Sequence, residues 1–240
     1  MDVDHLKPAA VLFDLDGTLA DSFEGIRHAL NAALREEGLS EYDLGWVHAH
    51  VGRGAPALVR DAVGGEADDA LVRAVGGRFG AHYRASFLDL TPALPGAREV
   101  LAYVAWRTGG KVAVVSNKYE DLSRAWLRHV GLEEHVAVVV GPDTYGVRKP
   151  DPGAVLPVLR GFGVAAGDAL VVGDMDVDVA TGLEVGAPVV GVQADPAAAR
   201  GLLAAGATAV LPALGALPGW LEDNGAGWRY HSPGIPEGGR

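Results

Sequence analysis

The chain has 240 residues, 49% hydrophobic and 21% charged, with a formal net charge of −11 and no cysteine. That composition belongs to a folded globular protein, and the length accommodates one core domain plus a smaller insertion. The acidic balance argues against a nucleic-acid groove, and the lack of cysteine excludes a disulfide scaffold or a thiolate metal site. The opening MDVDHLKPAA has neither the basic start nor the apolar core of a signal peptide, and no apolar run approaches the ~20 residues of a membrane span. The sequence therefore predicts a soluble, cytoplasmic protein with no membrane partner.

The first apolar run, AAVLF at 9–13, reads as a strand and ends abruptly in Asp14-Leu15-Asp16-Gly17-Thr18. No strand is predicted from there to about position 92. The interval reads instead as helices, the first over 23–37, where Phe23, Ile26, Leu30, Ala33 and Leu34 recur at helical spacing. Asp21 and Glu24 resemble a capping box for it. Further helices are predicted over 44–50, 55–63 and 68–87, the last carrying Leu71, Val75, Phe79, Tyr83 and Phe87 on one stripe and weakened by Gly76-Gly77. Arg53, flanked by glycines in the loop between two of these helices, is a candidate substrate contact, against plain solvent exposure. The segment TPALPG returns the chain to the core, so 20–91 reads as a helical insertion.

Beyond it, apolar runs at 111–116, 135–140, 168–173, 187–192 and 207–211 alternate with helices predicted over 121–129, 153–161, 176–186, 196–205 and 212–221. Uninterrupted Val, Leu and Ala suits strands covered on both faces, and the alternation predicts an α/β fold with a doubly wound, mostly parallel sheet. The core is then 1–19 with 92–221, and the Gly- and Pro-rich 222–240 reads as a loosely ordered tail.

Ligands of such sheets sit outside the carboxyl ends of the strands, and three strand ends carry unusual residues: Asp14 to Thr18, Ser116-Asn117-Lys118, and Asp174 with Asp176 and Asp178. Asp14 and Asp16, two apart, aim to one side of an extended chain, and Asp174 arrives at the same end of the sheet. Three converging carboxylates repel and take up protons unless a cation joins them. An all-oxygen set suits a hard ion, with Mg²⁺ the commonest for phosphate chemistry. The N–H groups of Gly17 and Asn117 and the hydroxyls of Thr18 and Ser116 would donate to a phosphoryl group. Lys149, fixed by prolines at 150 and 152, would neutralise charge on Asp14 and the phosphoryl group. Each feature alone has an ordinary explanation in a solvated loop, a turn or a surface lysine, and Asp176 suits a helix N-terminus. Their coincidence at several strand ends carries the functional reading.

DLDGTL at 14–19, Ser116 in VVSNK, Lys149 in RKPDP and GDMDVD at 173–178 together resemble the four motifs of the haloacid dehalogenase superfamily, in its phosphatase branch with a helical cap after the first strand. The resemblance spans about 8–220. It implies a Mg²⁺-dependent phosphomonoesterase with a Rossmann-like core: Asp14 as nucleophile forming an aspartyl-phosphate, and Asp16 as general acid and then base. Metal ligands would be Asp14, the Asp16 carbonyl and Asp174, with Asp178 nearby, while Thr18, Ser116, Asn117 and Lys149 would hold phosphoryl oxygens. An acid at position 16 favours ester hydrolysis over dehalogenation, since a halide leaves without a proton. HVGRGAPALVRDAV and PALPGAREVLAYV resemble bacterial phosphoglycolate phosphatases, whereas Thr181, Leu183 and Glu184 depart from the usual small-residue run. The partner implied is a small phosphorylated metabolite, met by a monomer or homodimer. Alternatives are a phosphosugar mutase of the β-phosphoglucomutase kind, a sugar-phosphate or nucleotide phosphatase, and an inactive binding module, which would be expected to have lost one of Asp14, Asp16, Lys149 or Asp174.

Overall fold

In the computed structural model, which describes residues 7–224, the strands are β1 (Ala10–Phe13), β2 (Val112–Val115), β3 (Val138–Val140), β4 (Ala169–Gly173), β5 (Val189–Val192) and β6 (Ala209–Leu211). Each lies inside an expected apolar run. They pair in parallel throughout, in the order β3-β2-β1-β4-β5-β6. Alternate residues supply the two faces: Val11 and Phe13 join one apolar cluster with Val112 and Val114, whereas Ala10 and Leu12 join another with Ala113, Val115, Val158 and Leu159. Burial on both sides is why no polar residue interrupts these runs.

Ten α-helices accompany the described sheet: α1 (Phe23–Glu36), α2 (Leu44–His50), α3 (Ala55–Val63), α4 (Asp69–Ser86), α5 (Ala97–Thr108), α6 (Glu120–His129), α7 (Leu156–Phe162), α8 (Asp176–Val185), α9 (Pro196–Ala205) and α10 (Leu217–Asn224). The sequence reading passes over α5, although Ala97, Val100, Leu101 and Val104 are buried at helical spacing. The helix expected over 153–161 begins as a 3-10 turn at Pro152–Ala154, and that expected over 212–221 splits into a 3-10 turn at Leu214–Ala216 and α10. Since α10 runs to Asn224, helix replaces the first residues of the expected tail, and the rest of the tail lies outside the described residues. The capping box at Asp21 is not formed: Ser22 occupies the N-cap without a side-chain bond, and Glu24 pairs with Arg27.

Helices α1 to α4 stand between β1 and α5, with α1 packed along α4 through Phe23, Ile26 and Leu30 on one side and Val75, Phe79 and Tyr83 on the other. The segments entering and leaving this group meet at an antiparallel bridge between Ala20 and Ala93. The buried Trp126 of α6 donates from Nε1 to the Thr91 carbonyl at 2.7 Å, pinning the returning chain to the core. The order of strands puts β1 between β2 and β4, at the point where the winding reverses. Their three carboxyl ends therefore open into one crevice.

Candidate active site

Asp14, directly after β1, donates its backbone N–H to the Val172 carbonyl of β4 at 2.8 Å, which fixes its position against the neighbouring strand end. Lys149 Nζ donates to Asp14 Oδ1 and to Asp178 Oδ1, each at 2.6 Å. Asp178 sits in the first turn of α8 and accepts the Met175 N–H on its other oxygen at 3.1 Å. Thr18 donates its hydroxyl to Asp174 Oδ1 at 2.7 Å. All five side chains are buried.

Oxygens of Asp14, Asp174 and Asp178 lie within 4.8 Å of one another. With every group ionised, three carboxylates against the single ammonium of Lys149 leave two negative charges, which one divalent cation would cancel. Lys149 and Thr18 occupy one oxygen each of Asp14 and Asp174 and leave the other oxygen of each carboxylate for such an ion. A donor set of oxygens alone suits a hard cation.

The electrostatics follow from this crowding. Burial pushes the Asp14 pKa up to about 6; the Lys149 charge opposes the rise, and the charges of Asp178 and Asp16 add to it. Burial likewise raises Asp174 well above the ordinary carboxylate range, reinforced by Asp14 and Asp178. For Lys149 burial alone would favour the neutral amine, but Asp14 and Asp178 outweigh it and hold the pKa above its usual value. A carboxyl whose folded-state pKa exceeds its unfolded one binds a proton more tightly when folded, so stability falls as pH rises through the folded value. With a chelator present, the thermal midpoint is therefore expected to rise between about pH 8 and about pH 5.5. At the upper pH, a divalent cation held by this cluster at a hundredfold excess over its Kd should raise it by about 5–10 °C. Calorimetric scans with and without the ion check both.

Several residues predicted for phosphate binding have other work. The Gly17 N–H donates to the Ala20 carbonyl at 2.8 Å, and the Thr18 hydroxyl donates to Asp174 Oδ1. What comes close to Gly17 is the Asp174 carboxylate: with φ at +89°, a Cβ there would collide with it, 2.7 Å from Cγ. Gly17→Ala is expected to lose on the order of 1–3 kcal/mol of stability from backbone strain and to weaken the cation site further; urea unfolding and metal titration read the two effects. Asp16, whose carboxylate was expected to converge with those of Asp14 and Asp174, and whose carbonyl was the ligand implied by the family resemblance, lines the cavity. Its carboxylate is ion-paired with Lys118 and does not join the acidic cluster.

Ser116, Asn117, Lys118 and Lys149 line a cavity of about 430 Å³ together with Asp14 and Asp16. Asn117 ties the loop between α2 and α3 to the segment that carries Lys149. Its Nδ2 donates to the carbonyls of Gly52 at 2.8 Å and Lys149 at 3.2 Å, while its Oδ1 accepts the Lys149 N–H at 2.8 Å. Arg53, the expected substrate contact, is exposed, pairs with Asp61 and is not among the cavity's lining residues. Arg148 lines the cavity instead, reaching the Arg53 carbonyl from Nη1 at 3.4 Å. Two further residues had no site role in the sequence reading: Lys118, noted only as part of the Ser116-Asn117-Lys118 strand end, and Tyr83, noted only on the apolar stripe of α4; the Tyr83 ring lies 5.2 Å from the Lys118 ammonium.

A family model described as haloacid dehalogenase-like hydrolase matches residues 11–192. The chain belongs to that family. This hydrolase is 41% identical over 208 residues to a phosphoglycolate phosphatase of Rhodospirillum rubrum, covering 82% of this chain and 86% of the relative. It is 37% identical over 179 residues to a phosphoglycolate phosphatase of Aquifex aeolicus, covering 73% and 80% respectively. A crystal structure of a predicted phosphoglycolate phosphatase from Haemophilus somnus superposes with a TM-score of 0.80 at 22% identity, covering 89% of this chain and 98% of the other. A HAD family hydrolase from Deinococcus radiodurans, solved with bound phosphate and sodium, superposes at 0.69 with 27% identity, covering 92% and 97%. This hydrolase is thus an enzyme similar over most of its length to phosphatases, and none of its described helices is long and apolar enough to cross a membrane.

Proposed function

We propose that the protein is a cytoplasmic, Mg²⁺-dependent phosphomonoesterase for a small phosphorylated acid such as phosphoglycolate, acting through an aspartyl-phosphate as a monomer or homodimer. The observation that carries this reading is the buried Asp14–Lys149–Asp178 array beside Asp174, facing a cavity that also contains Asp16. Residues 1–19 with 92–221 would form the catalytic core, and 20–91 a cap held over it by the Asn117–Gly52 bond.

Asp14, Asp174 and Asp178 would hold the ion, with the Asp16 carbonyl completing the set. The ion supplies charge neutralisation to the phosphoryl group and the attacking carboxylate. Asp14 attacks phosphorus; the bond from phosphorus to the ester oxygen breaks, and Asp16, which must first take up a proton and give up its ion pair with Lys118, passes that proton to the leaving alcohol. Water then attacks the same phosphorus, surrendering a proton to Asp16, and the bond to Asp14 breaks to release phosphate. Lys149 offsets the negative charge that builds on the transferring group. The Ser116 hydroxyl and the Asn117 backbone N–H, at the cavity wall, orient its oxygens. The cap excludes bulk water from both steps.

The deciding experiment is phosphate release from 2-phosphoglycolate with Mg²⁺ or with chelator. Release that needs the ion supports the reading; an isomeric product without free phosphate would identify a mutase. Arg73 and Arg148 line the cavity without a carboxylate in ion-pair range among the described residues. Arg148→Ala is expected to raise KM for phosphoglycolate about tenfold or more, the loss of a charge-assisted hydrogen bond to the substrate carboxylate. The same change at Arg53 should have a smaller effect. Steady-state kinetics on both variants checks the contrast.

A further inference from the structure

The cavity that meets Asp14 and Asp16 is walled on its far side by the insertion, where Leu58 and Val59 of α3 and Val72 and Phe79 of α4 form an apolar patch beside Arg60, Arg73 and Arg84 of the same helices. Between them, Gly76 and Gly80 face the cavity one turn apart, whereas Gly77 does not line it. Glycine disfavours a helix interior relative to alanine, and these two glycines buy space. A Cβ on Gly76 would meet only Val59 Cγ1, at 3.9 Å, and one on Gly80 would meet nothing within 4 Å. The resulting volume of about 430 Å³ falls in the range of sites for drug-sized ligands, about 300–1,000 Å³. A two-carbon phosphorylated acid would leave most of it to water against an apolar patch.

Resting on the phosphomonoesterase reading above, we infer that the site also accepts phosphate monoesters of larger apolar alcohols, whose carbon chain lies in the pocket over Gly76 and Gly80. The phosphoryl end stays with Asp14 and Lys149, and the alkyl or aryl body replaces water against Val59, Val72 and Phe79. Removing each methylene from water improves transition-state binding by about fourfold as long as the chain stays within the pocket.

The test uses the full chain with Mg²⁺ and a homologous series from ethyl to hexyl phosphate, whose leaving alcohols are alike in chemistry. Binding of the matching alkylphosphonates, which cannot be hydrolysed, is measured by calorimetry. The expected result is a rise of about fourfold per methylene in kcat/KM and in phosphonate affinity over the first few carbons. Gly80→Leu, which fills the pocket with a good helix former, should cut the hexyl-to-ethyl ratio at least tenfold. A flat series in both measurements overturns the inference while leaving phosphate release intact. Graded phosphonate binding without hydrolysis of any ester would uphold the pocket and overturn the hydrolytic reading.

Discussion

Asp14→Asn is expected to abolish turnover while leaving the fold in place, with kcat falling on the order of 10⁴ to 10⁶. The amide oxygen is a poor nucleophile for phosphorus, but it can still accept the 2.6 Å hydrogen bond that Lys149 Nζ gives to Oδ1. The substitution also takes one negative charge out of a crowded buried cluster. The cost of ionising Asp14, visible in its pKa of about 6, disappears with it. The thermal midpoint of the metal-free protein should therefore hold or rise, and its dependence on pH should weaken. Hydrolysis of p-nitrophenyl phosphate, followed beside circular dichroism melts, separates the two effects. Retained turnover would remove Asp14 as the nucleophile, and a collapsed fold would show that its charge is structural.

Lys149→Ala should act in the opposite sense on stability. It leaves Asp14 and Asp178 buried without their shared ammonium, and breaking a buried pair by removing one partner costs about 3–5 kcal/mol. Activity should fall on the order of 10² to 10³ in kcat, the scale of losing one electrostatic contact in the transition state. Because the variant has a larger unbalanced charge, Mg²⁺ should raise its melting temperature by more than it raises that of the unaltered protein. Equal metal-induced shifts in the two proteins would mean that Lys149 and the ion do not share the neutralisation of this cluster. Lys149→Arg gives a useful comparison, since the cation is kept but a planar guanidinium cannot reproduce the paired contacts at 2.6 Å.

Much of the core could be read along the chain because its signals are local. A strand buried on both faces must be apolar at every position, so β1, β2 and β4 stood out as runs of Val, Leu, Ala and Phe. Helices α2, α3 and α9 have the bounds that their spacing and flanking Gly or Pro suggest. Asp14, Ser116 and Asp174 were noticeable for the same local reason, since a polar residue ends an apolar run. Helix α5 shows the limit: its buried positions were legible, but it begins directly after the TPALPG segment read as the return to the core, and no element was assigned to it.

The amino-acid sequence by itself determined the alternation of strands and helices, the long helical interruption after β1, and the chemical types gathered at the strand ends. The tertiary structure alone decided how those groups divide the work. It set Asp178 rather than the Asp16 carboxylate into the acidic cluster, gave Asp16 to Lys118, turned Thr18 toward Asp174, and put Arg148 rather than Arg53 at the cavity. These pairings join residues as far as 156 positions apart in the chain. Periodicity reports which face of an element is buried, whereas the pairing of buried charges is settled only when the folded elements exclude water and leave each charge a small choice of partners.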